Sequence, residues 1–132
     1  MSEEFTVLVV EDDSSTRKVI AEVLRDDGIV SDLADGYQSG LAAFAPRKYP
    51  VVIIDNQLGD GVGTDLCRRL KEIDPSVTLF LFAGASEQVR LEALSCGVSE
   101  VLQKPYDLSK LTYLVKRVAQ RSDTQPGTAM AK

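Results

Sequence analysis

The sequence predicts an α/β fold in which five parallel strands alternate with five helices. Residues 51–55 form a β-branched run that ends on Asp55, which is typical of a central parallel strand covered on both faces. Residues 7–10 repeat this pattern and end on Glu11 and Asp12. Segments with helical spacing of apolar residues lie between the apolar runs, so strands and helices alternate along the chain.

The first half of the chain contains two predicted strand–helix units. A strand at about residues 5–10 leads into a helix that Ser14 or Ser15 can cap, and Gly28 ends this helix. Residues 29–33 form a short second strand. A second helix follows it and ends before the central strand.

The second half continues the alternation. The glycine-rich loop at residues 56–63 leads into a helix that starts at Thr64 or Asp65. Strands at residues 77–82 and 98–103 each precede a further helix. The last helix carries a continuous apolar stripe, formed by Leu108, Leu111, Leu114, Val115 and Val118.

Topological rules restrict the arrangement of these units. Right-handed crossovers leave few possibilities, and the doubly wound strand order 2-1-3-4-5 is the natural choice. We expect one domain at residues 6–120, after an N-terminal lead-in at residues 1–5. Residues 121–132 are expected to form a flexible tail or the start of a linker, because proline, glycine and small residues dominate there.

Composition and charge exclude several classes of function. Of the 132 residues, 44% are hydrophobic and 27% are charged, as in an ordinary soluble domain. The chain has 15 basic and 20 acidic residues, so its net charge is −5. The basic residues are scattered along the sequence, and both features disfavour direct nucleic-acid binding. The apolar runs are shorter than the roughly 20 residues that cross a bilayer, and the start lacks a basic signal region. We therefore expect a cytoplasmic protein without membrane insertion.

The chain has no histidine and two cysteines. The lack of histidine excludes the commonest zinc sites and any nucleophile that a histidine of the same chain would activate. Cys67 and Cys96 lack metal-ligand spacing, so we interpret them as small, partly buried hydrophobic residues. Any phosphohistidine chemistry would use a histidine of a partner.

Acidic residues and one lysine are predicted to meet at one edge of the sheet. Strands one and three are neighbours in the predicted order, so Glu11, Asp12 and Asp55 come together at their carboxyl ends. Lys104 follows the fifth strand and reaches the same edge. Carboxylates at close range repel one another unless a cation lies between them, and oxygen-only ligands favour a hard ion such as Mg²⁺.

Asp55 is the candidate nucleophile of this site. A divalent metal and a lysine are the positive charges that phosphoryl transfer requires, because its transition state spreads negative charge over the phosphoryl oxygens. Carboxylates form acyl phosphates, which are readily hydrolysed. Each piece alone has a simpler explanation: helix-capping acids, a turn residue and an exposed lysine. Their joint placement at one edge favours the phosphoryl site.

The chain resembles a response-regulator receiver domain, the CheY-like phosphoacceptor module of two-component signalling, which has a flavodoxin-like fold. The resemblance covers about residues 6–120. The matching positions are Glu11 and Asp12 in Val-Val-Glu-Asp-Asp, Asp55 in Ile-Ile-Asp, Asp60 before Gly61, and Lys104 before Pro105.

This resemblance implies a role for each matching residue. Mg²⁺ would bind directly to Asp12, Asp55 and the backbone carbonyl of Gln57, with Glu11 acting through water. Asp55 would accept the phosphoryl group and Lys104 would contact it. The other implied phosphoryl-binding positions are Asn56, Ala83 and Gly84. The peptide bond after Lys104 is expected to be cis.

Two positions depart from the family pattern. A Ser or Thr normally ends the fourth strand; matching the strand pattern puts Ala83 there, whereas an ungapped count puts Phe82 there, and we prefer Ala83. Val101 replaces the usual aromatic residue three positions before Lys104. The usual switch couples a hydroxyl at the first position to an aromatic ring at the second, and both groups are missing here.

These departures lead to a hypothesis about signalling. Asp55 would still be phosphorylated, but the output would be weak or would travel by another route, such as the loop at residues 56–63. Gly59 stands in that loop where the family usually has a proline, so the loop is expected to be more mobile.

The resemblance implies a histidine kinase or phosphotransfer protein as donor and a downstream protein or output domain as reader. The chain would be a slowly self-dephosphorylating switch rather than a turnover enzyme, and a monomer or weak homodimer. The alternative is a phosphorylation-independent interaction module on the same fold. A haloacid-dehalogenase-type hydrolase would need an aspartate at position 57, where Gln57 stands. A flavin carrier would need hydroxyl groups where three acids follow the first strand.

Overall fold

The computed structural model describes residues 5–123. The strands of its main sheet are β1 (Thr6–Val10), β2 (Val30–Ala34), β3 (Val51–Asp55), β6 (Thr78–Ala83) and β7 (Glu100–Gln103). These five strands are parallel and have the order β2-β1-β3-β6-β7. Because β6 and β7 are the fourth and fifth strands of this sheet, the predicted order 2-1-3-4-5 is confirmed, and with it the doubly wound α/β fold.

The described part of the chain has five helices, of which four connect strands of the sheet and the last follows β7: α1 (Ser14–Asp26), α2 (Tyr37–Ala43), α3 (Gly63–Ile73), α4 (Glu87–Ser95) and α5 (Leu108–Asp123). The last helix continues three residues past the domain end expected at position 120. Residues 1–4 of the expected lead-in and residues 124–132 of the expected tail lie outside the described residues. Among these five helices, none combines the length and the apolar character that a membrane span requires.

Alternation along the strands builds a hydrophobic core on each face of the sheet. The odd-numbered side chains of β1 and β3 pack with α1 and α5, in a cluster that includes Val7, Val9, Val51, Ile53, Ile20, Leu24, Leu111 and Val115. The even-numbered side chains pack with α3 and α4, in a cluster that includes Leu8, Val10, Val52, Ile54, Leu66, Leu70 and Ala93. Both faces of the sheet are therefore covered by helices at β1 and β3, which is why these two strands have uninterrupted apolar sequences.

Two helix starts differ from the sequence-based expectation. The N-cap of α1 is Asp13 rather than a serine, since its carboxylate accepts hydrogen bonds from the Thr16 N–H at 2.8 Å and the Thr16 hydroxyl at 2.7 Å. The acid lies one residue earlier and reaches the same donors, so the serine assignment was wrong. Helix α3 begins at Gly63, before the predicted Thr64 or Asp65.

The loop after β3 contains a short hairpin that the sequence analysis did not predict. It consists of antiparallel strands β4 (Gln57–Leu58) and β5 (Gly61–Val62). Between them, the carboxylate of Asp60 accepts hydrogen bonds from the backbone N–H groups of Tyr37 at 2.6 Å and Gln38 at 3.1 Å. This loop therefore caps the first turn of α2 and is tied to it.

Candidate functional site

The carboxyl edge of the sheet positions the candidate residues through backbone hydrogen bonds. The N–H of Glu11, just after β1, donates to the carbonyl of Ala34 at 3.1 Å, so the strand pairing extends one residue into the site. Asp55 is the last residue of β3. The N–H of Lys104, just after β7, donates to the carbonyl of Ala83 at 2.9 Å. Each functional side chain thus extends from a backbone that a neighbouring strand or strand end holds.

The three predicted acidic ligands come together at this edge. Carboxylate oxygens of Glu11, Asp12 and Asp55 all lie within 4.8 Å of one another. Glu11 and Asp55 are only 3% and 5% exposed, whereas Asp12 faces solvent. Two acids buried side by side repel each other, so the cluster favours a bound cation or a bound proton.

Lys104 lies within direct reach of the predicted acceptor. Its Nζ is 2.7 Å from Oδ1 of Asp55, and the same oxygen accepts a hydrogen bond from the N–H of Gln57 at 3.3 Å. The Lys104 side chain is 27% exposed, so its ammonium has access to both the buried carboxylate and an incoming ligand.

Glu11 has a perturbed pKa. Burial raises the pKa of the Glu11 carboxyl to about 6, and the nearby charge of Asp55 also raises it. Hydrogen bonds from the Tyr106 hydroxyl and the Asp13 N–H act in the opposite direction and lower the pKa. The net shift is upward, because burial disfavours the charged form of this carboxylate more than its two hydrogen bonds favour it.

The donor set fits Mg²⁺. It offers carboxylate oxygens, which a hard cation prefers, and the exposed Asp12 leaves space for the water molecules that Mg²⁺ retains. A divalent cation between the acids would also offset the repulsion that raises the pKa of Glu11. Gln57 lies beside this group in β4 and is exposed.

Hydrogen bonds fix Asn56 beside the first turn of α3. Its N–H donates to the carbonyl of Phe82 at 2.9 Å, and its carbonyl accepts from the N–H of Gly63 at 2.8 Å. The side-chain oxygen accepts from the N–H of Thr64 at 3.2 Å. These bonds anchor the loop directly after Asp55 to the first turn of the helix, so the side-chain oxygen is already engaged within the protein.

Similarity to known proteins identifies the family of this chain. Residues 7–116 match the model of the response regulator receiver domain. The chain belongs to this family. It is 32% identical over 105 residues to the KDP operon transcriptional regulatory protein KdpE of Escherichia coli (strain K12), covering 80% of this chain and 47% of KdpE. It is 31% identical over 117 residues to the transcriptional regulatory protein CutR of Streptomyces coelicolor, covering 88% of this chain and 54% of CutR. The receiver domain spans about half the length of these relatives.

Solved receiver domains have the same architecture. The BeF3-activated DrrB receiver domain superposes with a TM-score of 0.81 at 25% identity, covering 90% of this chain and all of that one. The non-phosphorylated HemR receiver domain from Leptospira biflexa also gives 0.81 at 25% identity, covering 87% of this chain and 94% of that one.

Ala83 and Val101 stand at the two positions where the resemblance implied a departure from the family pattern. Strand β6 ends at the buried Ala83, which pairs with Gln103, whereas Phe82 is the residue of β6 that pairs with Asp55. Gly84 follows it and is exposed, with open space where a Cβ would lie. Val101 packs against the core on the α3 and α4 face. No hydroxyl stands at the first position and no ring at the second.

A tyrosine that the sequence analysis missed reaches into the site. The hydroxyl of Tyr106 donates a hydrogen bond to Oε1 of Glu11 at 2.6 Å. Its ring packs on Phe82, with 4.3 Å between the ring centroids and 40° between the planes. The available signal was its position just beyond Lys104, at the carboxyl end of the strand. The preceding Lys104–Pro105 peptide bond is cis, as the resemblance implied.

Proposed function

We propose that Asp55 of this receiver domain accepts a phosphoryl group from a phosphohistidine of a histidine kinase or phosphotransfer protein. The observation that carries the proposal is the Asp55 carboxylate, which is 5% exposed and lies 2.7 Å from the Lys104 ammonium. Glu11 and Asp12 complete the acidic set around it. Burial, a paired cation and neighbouring acids are the features that a metal-assisted phosphoryl acceptor needs.

The transfer is a displacement at phosphorus. A carboxylate oxygen of Asp55 forms a bond to the phosphorus atom while the bond from the donor imidazole nitrogen breaks, and the electron pair leaves with the imidazole. The Lys104 ammonium and the Gln57 N–H hold the Asp55 carboxylate before the reaction. Lys104 then neutralises phosphoryl oxygens, because its flexible stem lets the ammonium follow the charge.

Mg²⁺ is the proposed cofactor of this step. Asp12, Asp55 and the backbone carbonyl of Gln57 would hold it, and Glu11 would act through water. When bound, the ion supplies positive charge that offsets the negative charge on the phosphoryl oxygens. Asn56, Ala83 and Gly84 are proposed to line the phosphoryl group, with the backbone after β6 close to the end of β3.

The phosphorylated domain is proposed to act as a cytoplasmic signal that a partner protein or output domain reads. Water slowly hydrolyses the acyl phosphate and resets the domain, which separates this role from that of a turnover enzyme. KdpE and CutR are named as transcriptional regulatory proteins. Control of transcription by the protein that carries this domain is therefore the output we favour.

A second candidate function is a receiver-fold module that binds its partner without phosphorylation. Ala83 and Val101 favour it, since neither supplies the group on which the usual switch depends. The close pair of Lys104 and Asp55 counts against it, because a module without phosphoryl chemistry has no need of that arrangement.

Intact-mass measurement after incubation with acetyl phosphate separates the two functions. The phosphoacceptor proposal predicts a gain of one phosphoryl group with Mg²⁺, and none after chelation. Asp55→Asn should abolish the gain, whereas the matched control Asp65→Asn, on the exposed side of α3, should retain it. A folded native chain that gains no mass would overturn the proposal and favour the constitutive module.

A further inference from the structure

Tyr106 connects the metal-binding edge to the segment between β7 and α5. Its hydroxyl and Oε1 of Glu11 are 2.6 Å apart, although the two residues are 95 positions apart in the sequence. The phenol hydroxyl donates this hydrogen bond to the carboxylate, so the contact joins the segment after β7 to an acid of the site.

The contacts of Glu11 explain what this bond does. Oε2 of Glu11 accepts a hydrogen bond from the N–H of Asp13 at 3.1 Å. The backbone carbonyl of Glu11 accepts another from Nη1 of Arg17 at 2.7 Å. The hydroxyl of Tyr106 holds the other carboxylate oxygen. A glutamate side chain has several rotatable bonds, and engagement of both carboxylate oxygens selects one orientation among many.

The position of the Tyr106 hydroxyl is itself set by packing. The ring lies on Phe82, which is the residue of β6 that pairs with Asp55 of β3. The Lys104 ammonium lies 5.8 Å from the ring centroid. Packing of the ring on β6, the strand next to the proposed acceptor Asp55, therefore fixes the position of the hydroxyl.

We propose that Tyr106 is a positioning residue of the metal site, whose hydroxyl holds the Glu11 carboxylate in the orientation that Mg²⁺ binding uses. This inference rests on the proposed function, in which Glu11 assists the metal. Outer-shell hydrogen bonds of this kind orient metal-binding groups, and their removal weakens metal binding by about tenfold. Tyr106 would therefore set how much Mg²⁺ the domain requires, and would leave the chemistry at Asp55 unchanged.

The test uses Tyr106→Phe, which keeps the ring on Phe82 and removes only the hydroxyl. Mg²⁺ binding is followed directly through the backbone amide NMR signals of Asp12 and Asp13. Phosphorylation by acetyl phosphate is followed as a function of Mg²⁺ concentration. The matched control is Tyr113→Phe, which removes the hydroxyl of a tyrosine that is 59% exposed on α5.

We expect Tyr106→Phe to bind Mg²⁺ about tenfold more weakly, with a maximal phosphorylation rate at saturating Mg²⁺ within twofold of the native rate. Tyr113→Phe should match the native chain in both measurements. In a Glu11→Gln background, Tyr106→Phe should cause a much smaller further loss, because the hydroxyl acts through the Glu11 carboxylate. A purely structural role would not produce this coupling.

Each outcome bears on a different claim. Unchanged or tighter Mg²⁺ binding by a folded Tyr106→Phe would overturn the positioning role while phosphorylation of the native chain still supported Asp55 as acceptor. An equal loss in the native and Glu11→Gln backgrounds would also overturn it. If the native chain binds Mg²⁺ but gains no phosphoryl group, the proposed function fails, and the NMR titration still decides the role of Tyr106.

Discussion

The Nζ atom of Lys104 lies 2.7 Å from Oδ1 of Asp55, so the proposed acceptor carries a paired cation before any ligand binds. Asp55 is 5% exposed and has the buried Glu11 close by. Without a positive charge, two buried carboxylates would repel each other in a site that water enters poorly. Lys104 therefore stabilises the ligand-free domain and, in the proposed function, also prepares Asp55 for phosphoryl transfer.

Replacement of Lys104 by methionine tests this stabilising role. We expect Lys104→Met to lower the free energy of unfolding in EDTA by about 2 kcal/mol, because it leaves a buried charge unpaired in a site that keeps some solvent access. Millimolar Mg²⁺ should restore part of the loss, since a second cation then reaches the acids. Urea unfolding with and without Mg²⁺ measures both effects.

The control for this experiment is Lys110→Met, at an exposed position of α5. It should change stability by less than about 0.5 kcal/mol. Equal effects of the two substitutions, or no recovery of Lys104→Met with Mg²⁺, would contradict the stabilising role of the ion pair.

The pKa of Glu11 predicts how stability depends on pH in the absence of metal. The pKa rises from 4.5 to about 6 in the folded chain, so the folded state holds the proton more tightly than the unfolded state. The resulting stabilisation is present below pH 4.5 and is lost as the pH rises through 6. It amounts to about 2 kcal/mol.

Glu11→Gln isolates this contribution, because the amide does not titrate. In EDTA, the stability of the variant relative to the native chain should rise by about 2 kcal/mol in total, most of it between pH 4.5 and 6.5, and then level off. Any constant offset reflects altered hydrogen bonding and does not bear on the prediction. A difference that stays flat with pH would show that the proton affinity of Glu11 is not raised by folding.

Two glycines of the site predict opposite tolerance to alanine. A Cβ at Gly63 would lie 2.6 Å from the carbonyl oxygen of Asp55 and 2.7 Å from the Cα of Asn56, so the backbone after Asp55 must shift. We expect Gly63→Ala to cost about 1–3 kcal/mol. A Cβ at Gly84 would meet nothing within 4 Å, so Gly84→Ala should stay within about 0.5 kcal/mol of the native chain.

Thermal unfolding of both variants measures this difference. The same pair tests the placement of the phosphoryl group, since a methyl group at position 84 should slow phosphorylation if Gly84 lines it. Comparable stability of the two variants would show that the loop after Asp55 accommodates a side chain where the structure leaves no space.

Local patterns were enough to predict most of the fold. β1 and β3 have apolar runs because both faces of the sheet are buried. The segments between strands show the helical spacing of apolar residues that burial of one helix face requires. Glu11, Asp12, Asp55 and Lys104 could be placed together because each lies at or just after the carboxyl end of a strand in one parallel sheet. That inference needs only topology, and the structure brings these four residues together.

Other features of the structure could not be predicted from a sequence pattern. Asp13, Ser14 and Ser15 are all good N-caps, so only the actual backbone path selects Asp13. The β4–β5 hairpin has two-residue strands, which are too short for a pattern of alternation. The position of Tyr106 just beyond Lys104 places it near the site, but its contact with Glu11 joins distant segments and depends on the backbone path after β7.

The central claim is that Asp55 itself carries the phosphoryl group, and hydride trapping tests it most directly. Borohydride reduces an acyl phosphate of aspartate to homoserine, and fragment masses then locate the altered residue. After treatment with acetyl phosphate and Mg²⁺, we predict homoserine in place of Asp55 and unaltered aspartate at positions 12 and 60. Homoserine at position 12 or 60, or at no position in a folded and Mg²⁺-loaded chain, would contradict the account.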